Sequence, residues 1–96
     1  MNIETLSNAI AFYGSEEQTL KTIEELAELT QAILKLRFVG KDGRNTDLIK
    51  KAKDNVAEEI ADVEIMLEQI KLIYGNTKLV KTYKKNKIER LAERIG

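Results

Sequence analysis

The chain contains no cysteine, no histidine and no proline, and few aromatic residues. Without cysteine there is no disulfide framework, no thiolate nucleophile and no sulfur-ligated zinc or iron–sulfur cluster. Without histidine the usual zinc sites, Ser-His-Asp catalysis and imidazole acid–base chemistry are excluded as well. Carboxylates, lysines, tyrosines and hydroxyls are what remains, so any metal must be held by oxygen, which suits hard cations such as Mg²⁺ or Mn²⁺. No run approaches about 18 consecutive apolar residues, which argues against a membrane partner. The first thirteen residues lack a basic n-region and a cleavage pattern, so a cytoplasmic protein is expected. Sixteen acidic and sixteen basic side chains cancel, and the whole molecule lacks the electrostatic footprint of a nucleic-acid binder.

What is present favours helices. The absence of proline and the abundance of Leu, Ile, Ala, Glu and Lys predict an all-α fold, and 96 residues make a single domain. Glycines punctuate the chain. A short helix is expected over Ile3 to Tyr13, ended by Gly14 at the left-handed position. Ser15-Glu16-Glu17-Gln18 reads as a capping box opening a long helix to about Phe38. The stretch 39–46, with Gly40, Gly43 and Asn45, has no apolar periodicity and reads as the one real loop. A second long helix runs from an N-cap at Thr46 or Asp47 to Tyr74, ended by Gly75. Asn76 caps a last helix to about Ile95. The two long helices would pack antiparallel.

On the first long helix Leu20, Ile23, Leu26, Ala27, Ile33 and Leu34 form a broad apolar face, with Leu29 and Leu36 extending it to one side. A short bundle cannot cover both flanks, so Leu29 and Leu36 are expected to lie against a second chain. The expected architecture is therefore an antiparallel helical bundle completed as a homodimer or homotetramer. Phe38 and Tyr74 are expected in its core or at its interface.

Glu59 is the most informative residue. Ala52, Val56, Val63, Met66 and Ile70 share one helix face, and Glu59 lies within roughly 30° of its centre. An unanswered ion there would cost several kcal/mol. Glu25 and Glu28 are three residues apart, as are Glu59 and Asp62, so each pair points two carboxylates the same way. Two such pairs brought together across an antiparallel hairpin would place four carboxylates around one point. Like charges so close repel unless some stay protonated or divalent cations bind. Bundle cores hold metal sites of this construction. Taken alone, Glu24, Glu25 and Glu28 also read as a solvated acidic face near a helix N-terminus. Glu58 is expected on the surface, and Glu64 and Glu68 in a solvent-facing pair with Lys71.

Charge is unevenly divided. Residues 15–28 hold five acids against Lys21, whereas residues 78–94 hold seven Lys or Arg against Glu89 and Glu93. On the last helix Tyr83, Asn86, Lys87, Arg90 and Arg94 share a face beside the apolar stripe of Val80, Ile88, Leu91 and Ile95. Late basic residues also complement the helix dipole and keep a surface soluble.

Glu24-Glu25-Leu26-Ala27-Glu28 followed by Glu59-Ile60-Ala61-Asp62, within Glu58-Glu59-Ile60-Ala61-Asp62-Val63, resembles the EExxE and ExxD signature of the MazG-like all-α nucleoside triphosphate pyrophosphohydrolases. The resemblance spans about Leu20 to Arg94. It implies Glu25, Glu28, Glu59 and Asp62 as Mg²⁺ ligands, with Mn²⁺ a possible substitute. It further implies Asn86, Lys87 and Arg90 as groups holding the phosphates of a nucleoside triphosphate substrate. The 39–46 loop could close over that nucleotide with Arg44 near the phosphates or base, but an ordinary surface turn is the better reading. The expected reaction is hydrolysis between the α and β phosphates to monophosphate and pyrophosphate, with Glu24 a candidate base. Two rivals remain: a dUTP- or dCTP-selective diphosphatase of the same helical type, and a non-catalytic helical interaction module.

Overall fold

A computed structural model describes residues 2–41 and 43–96. Among them the chain forms four helices, α1 (Ile3–Tyr13), α2 (Ser15–Gly40), α3 (Thr46–Tyr74) and α4 (Thr77–Ile95), and no strand. None is long and apolar enough to cross a membrane. Asp42, part of the expected loop, lies outside the described residues.

Local chemistry explains most helix ends, with several differences from the sequence reading. Asn2 caps α1, its side chain accepting from Thr5 N–H at 3.0 Å. Gly14 ends α1 with φ 96° and ψ 148°, not the left-handed helical conformation expected but still a positive φ that glycine tolerates without a Cβ clash. The capping box does not form. Gly14 is the N-terminal cap of α2 and has no side-chain cap bond. Ser15 is already helical, and its carbonyl accepts from the Thr19 hydroxyl at 2.8 Å. Gln18 turns inward instead of back toward Ser15. At α3 the cap is Asn45, not Thr46 or Asp47: its side chain accepts from Leu48 N–H at 3.0 Å, satisfying one of the donors a helix start leaves open. α2 itself continues to Gly40, beyond the expected stop near Phe38. Gly75 ends α3 in the left-handed conformation, φ 63° and ψ 34°, with its N–H donating to the Lys71 carbonyl. Asn76 precedes α4 without a side-chain cap bond.

α2 and α3 form the antiparallel hairpin that carries the molecule, with α1 against both and α4 touching only α3. Gln18, Thr22, Glu25 and Ala32 are buried on α2, with Leu29 and Leu36 half-buried between them on the same face. The spacing alternates four and three residues, a heptad seam. On α3 the matching seam is Ala52, Val56, Glu59, Val63, Met66 and Ile70, joined by Gln69.

This inverts one expectation. Leu29 and Leu36 face α3 within the chain, while Leu20, Ile23, Leu26, Ile33 and Leu34 are exposed. Phe38 and Tyr74 are not core residues either, being 80% and 63% exposed. Buried apolar side chains are Leu6, Ala32, Ala52, Val63 and Met66 among the described residues. A fully buried Val, Leu or Met contributes about 1.5–3 kcal/mol, and two of the five are alanines, so the core is thin. The Cα radius of gyration is 16.8 Å, with extents of 46 × 40 × 20 Å. A compact chain of this length would have a radius near 12.5 Å. The excess comes from a flat hairpin with α4 projecting from its end, and no residue of α4 is buried.

Candidate metal centre

The hairpin places Glu25 on α2 opposite Glu59 and Asp62 on α3. One carboxylate oxygen from each of the three lies within 4.8 Å of the others. Two ligand oxygens on opposite sides of one divalent ion, at roughly 2.1–2.4 Å each, would be about 4–5 Å apart. The donor set is all oxygen, as a hard cation prefers.

Burial makes the cluster more than an acidic surface. The Glu25 side chain is 8% exposed. Its Oε1 accepts from Lys21 Nζ at 3.1 Å, a pair within one turn of α2. Its Oε2 is buried with no hydrogen-bond partner, and so is Oε2 of Glu59. A buried carboxylate oxygen without a donor forfeits the hydration it had in the unfolded chain. A cation held by both carboxylates would answer both. The residues present therefore fit a divalent ion.

The carboxyl groups register the crowding. Glu59 is held above the usual carboxylate pKa, first by burial, then by the charges of Asp62, Glu25 and Glu58, with a hydrogen bond to Glu28 pulling the other way. Glu28 is exposed and outside the tightest set, yet its pKa is also raised. The charge of Glu25 is the largest cause, followed by a hydrogen bond to Glu25, burial, and the charges of Glu59 and Glu24. Geometry brings together Glu25, Glu59 and Asp62; Glu28 lies outside that set and feels it through the charges of Glu25 and Glu59. Lys21 is raised by its hydrogen bond to Glu25 and by the charges of Glu24, Glu25 and Glu28. Glu24 is exposed at the rim.

The expected phosphate-binding residues are elsewhere in the chain. α4 makes no contact with α2. The groove it shares with α3, ≈ 600 Å³, is lined by Glu64, Leu67, Glu68, Ile70 and Lys71 from α3 and by Val80 and Lys84 from α4, with Asn76 between. Lys87 and Arg90 lie farther along, beside Leu91 and Arg94 in a shallow polar hollow on α4 itself. Asn86 is exposed on the same stretch. Lys71 pairs with Glu68, but the two are half-buried on the wall of the larger groove and do not face solvent as expected. Arg44 sits beside Phe38, Val39, Lys41, Asn45 and Leu48 at the opposite end of the hairpin from Gly75.

Two features escaped the sequence reading. Lys21 is the cation on Glu25, a pairing that its four-residue spacing could have suggested. Gln18 and Gln69 form a buried pair on the seam, which the heptad spacing of Gln18, Thr22 and Glu25 could have revealed. Comparison with family models, with curated proteins and with solved structures found no match to this chain.

Proposed function

We propose that this protein hydrolyses (deoxy)nucleoside triphosphates at the α–β phosphate bond, using a divalent cation held by Glu25, Glu28, Glu59 and Asp62. The observation that carries the proposal is the pair of buried, donorless carboxylate oxygens on facing helices, Glu25 Oε2 and Glu59 Oε2. The motif resemblance to MazG-like pyrophosphohydrolases supplies the reaction. A bound Mg²⁺ supplies charge neutralisation at triphosphate oxygens and acidifies water beside it.

The chain's own groups would do the rest. Glu24, exposed beside the ligand set, accepts the proton of the attacking water. The new bond joins the water oxygen to the α phosphorus, and the bridging P–O bond breaks with its electron pair leaving on pyrophosphate. Lys87 and Arg90, with Asn86, hold phosphate oxygens. Lys21, which pairs with Glu25, would be near enough to the ligand set to turn to a phosphate oxygen.

A homodimer or homotetramer belongs to the same proposal. α4 leaves Leu79, Tyr83, Ile88, Leu91 and Ile95 uncovered, and its seven cations outnumber two acids over residues 78–94. The bare face of α2 runs beside Glu16, Glu17, Glu24 and Glu28. A second copy would offer both an apolar cover and the opposite charge, and would bring the cations of α4 toward carboxylates that its own chain keeps at a distance.

The test is incubation with mixed dNTPs and NTPs in Mg²⁺ or in EDTA, with products resolved. Mg²⁺-dependent monophosphate plus pyrophosphate is the expected result. Turnover confined to dUTP or dCTP would narrow the substrate to one base. No turnover, with no effect of Mg²⁺ on melting, would leave the helical interaction module as the function.

A further inference from the structure

The seam between α2 and α3 contains one buried pair of amides, Gln18 and Gln69. Gln18 Nε2 donates to Gln69 Oε1 at 2.7 Å, and Gln69 Nε2 lies 3.6 Å from Met66 Sδ. Both residues are buried, Gln69 to 3% exposure. An apolar pair would fill this space without needing any partner, so the amides add specificity to the seam.

Their position relative to the carboxylates gives that specificity a purpose. Gln18 precedes Glu25 by seven residues, and Gln69 follows Asp62 by seven. Seven residues are close to two helical turns, so each glutamine stands on the same face as its carboxylate, roughly 10 Å away along the helix. The rest of the seam carries little register information. Leu29, Leu36, Val56 and Val63 are interchangeable apolar knobs, and Ala32 and Ala52 are small enough to slide past one another. Sliding by one turn moves α2 about 5.4 Å along α3. That exceeds the 4.8 Å span of the three carboxylates. A slide of one turn parts the two amides: Gln18 would come opposite Ile65 and Met66 or Leu72 and Ile73, and Gln69 opposite Thr22 or the Gly14–Ser15 end of α2, so Gln18 at least would lose its partner at the desolvation cost of a buried amide.

We infer that Gln18 and Gln69 are positioning residues, a register lock that holds Glu25 opposite Glu59 and Asp62. The structural half of this inference stands by itself; its consequence for metal binding rests on the proposed function.

The chain has no cysteine, so labels placed at Glu17→Cys and Asn55→Cys would be the only thiols. These sites are exposed and well separated along the hairpin, and a pulsed electron resonance distance between them reads axial sliding directly. Gln18→Met with Gln69→Met keeps volume and removes the pair. Gln18→Leu with Gln69→Leu is the second choice should the first not fold. Leu36→Ala serves as a control that loosens packing without touching the amides. The lock predicts one narrow distance in the native chain and in Leu36→Ala. In the folded double variant it predicts a displaced or second component, shifted by roughly 5 Å, with helicity retained and Mn²⁺ affinity at least tenfold weaker. An unchanged single distance in the double variant would overturn the lock. A shifted distance with native Mn²⁺ affinity would overturn the positioning role. Absence of Mn²⁺ binding in the native chain would instead count against the metal reading, with the distance still deciding whether the lock exists.

Discussion

The α2–α3 hairpin and α4 are incomplete in opposite ways. The hairpin buries acidic groups and leaves two carboxylate oxygens without donors. α4 is rich in cations, buries nothing and exposes its apolar stripe. Folding normally removes such mismatches within a chain, because an unanswered buried charge and an uncovered apolar face both cost free energy. Here a 16.8 Å radius keeps the two regions apart. Under the proposed function the two mismatches are complementary: a cation would answer the hairpin, and a second protein surface would cover α4.

The largest effect expected breaks the comparison at the hairpin. Glu25→Gln or Glu59→Gln should abolish Mg²⁺-dependent turnover, by more than the ~10–100-fold typical of losing an outer-shell partner of a metal ligand. Circular dichroism should show unchanged helicity. Retained turnover in both variants would return the acids to a structural role.

Next is the cover of the bare face. Sedimentation of the native protein should give a mass of at least two chains of 10.9 kDa, and Ile23→Glu should shift it toward one, since a charge on a buried interface face is strongly disfavoured. A native monomer at micromolar concentration would remove the second copy from the account.

Smaller effects are expected on α4. Arg90→Ala and Lys87→Ala should raise KM about tenfold, as loss of a charge-assisted phosphate contact of roughly 1.5 kcal/mol implies. The melting temperature should hardly move, because these residues are exposed in the free chain.

The smallest concerns pH in the metal-free protein. Glu59 and Glu28 have folded pKa values raised above the usual carboxylate value, so the native state binds more protons than the unfolded chain in the range between them. Stability from these groups therefore falls as pH rises through the carboxylate range, and protonation at lower pH restores it. Glu59→Gln should raise the metal-free melting temperature at pH 7, and its advantage over the native chain should shrink toward pH 4. A constant difference across that range would mean that the Glu59 charge does not strain the fold.

Much of this was readable from residue spacing. Gly14 and Gly75 mark helix ends through positive φ, a local property and so legible; the caps were less so, since Asn45 and not Thr46 or Asp47 caps α3 and Asn76 makes no side-chain cap bond. The carboxylate pairs were legible for a similar reason: three-residue spacing on a helix fixes a common direction, and antiparallel pairing needs only one loop. The inner face of α2 was not. Counting apolar residues selects Leu20, Ile23, Leu26, Ile33 and Leu34, yet the seam that meets α3 holds Gln18, Thr22 and Glu25. A polar inner face and an apolar outer face defeat a rule that equates apolar with inside. Only the match between two heptad seams distinguishes them. The capping box failed for a related reason, as Gln18 gains more from Gln69 across the seam than from the backbone behind it.

The measurement that most directly tests the central claim is calorimetric titration of Mn²⁺ into the native protein and into Glu59→Gln, without nucleotide. Saturable binding to the native chain, lost or weakened at least tenfold in the variant with its fold intact, is what a shared carboxylate centre predicts. Equal binding to both, or none to either, would contradict it.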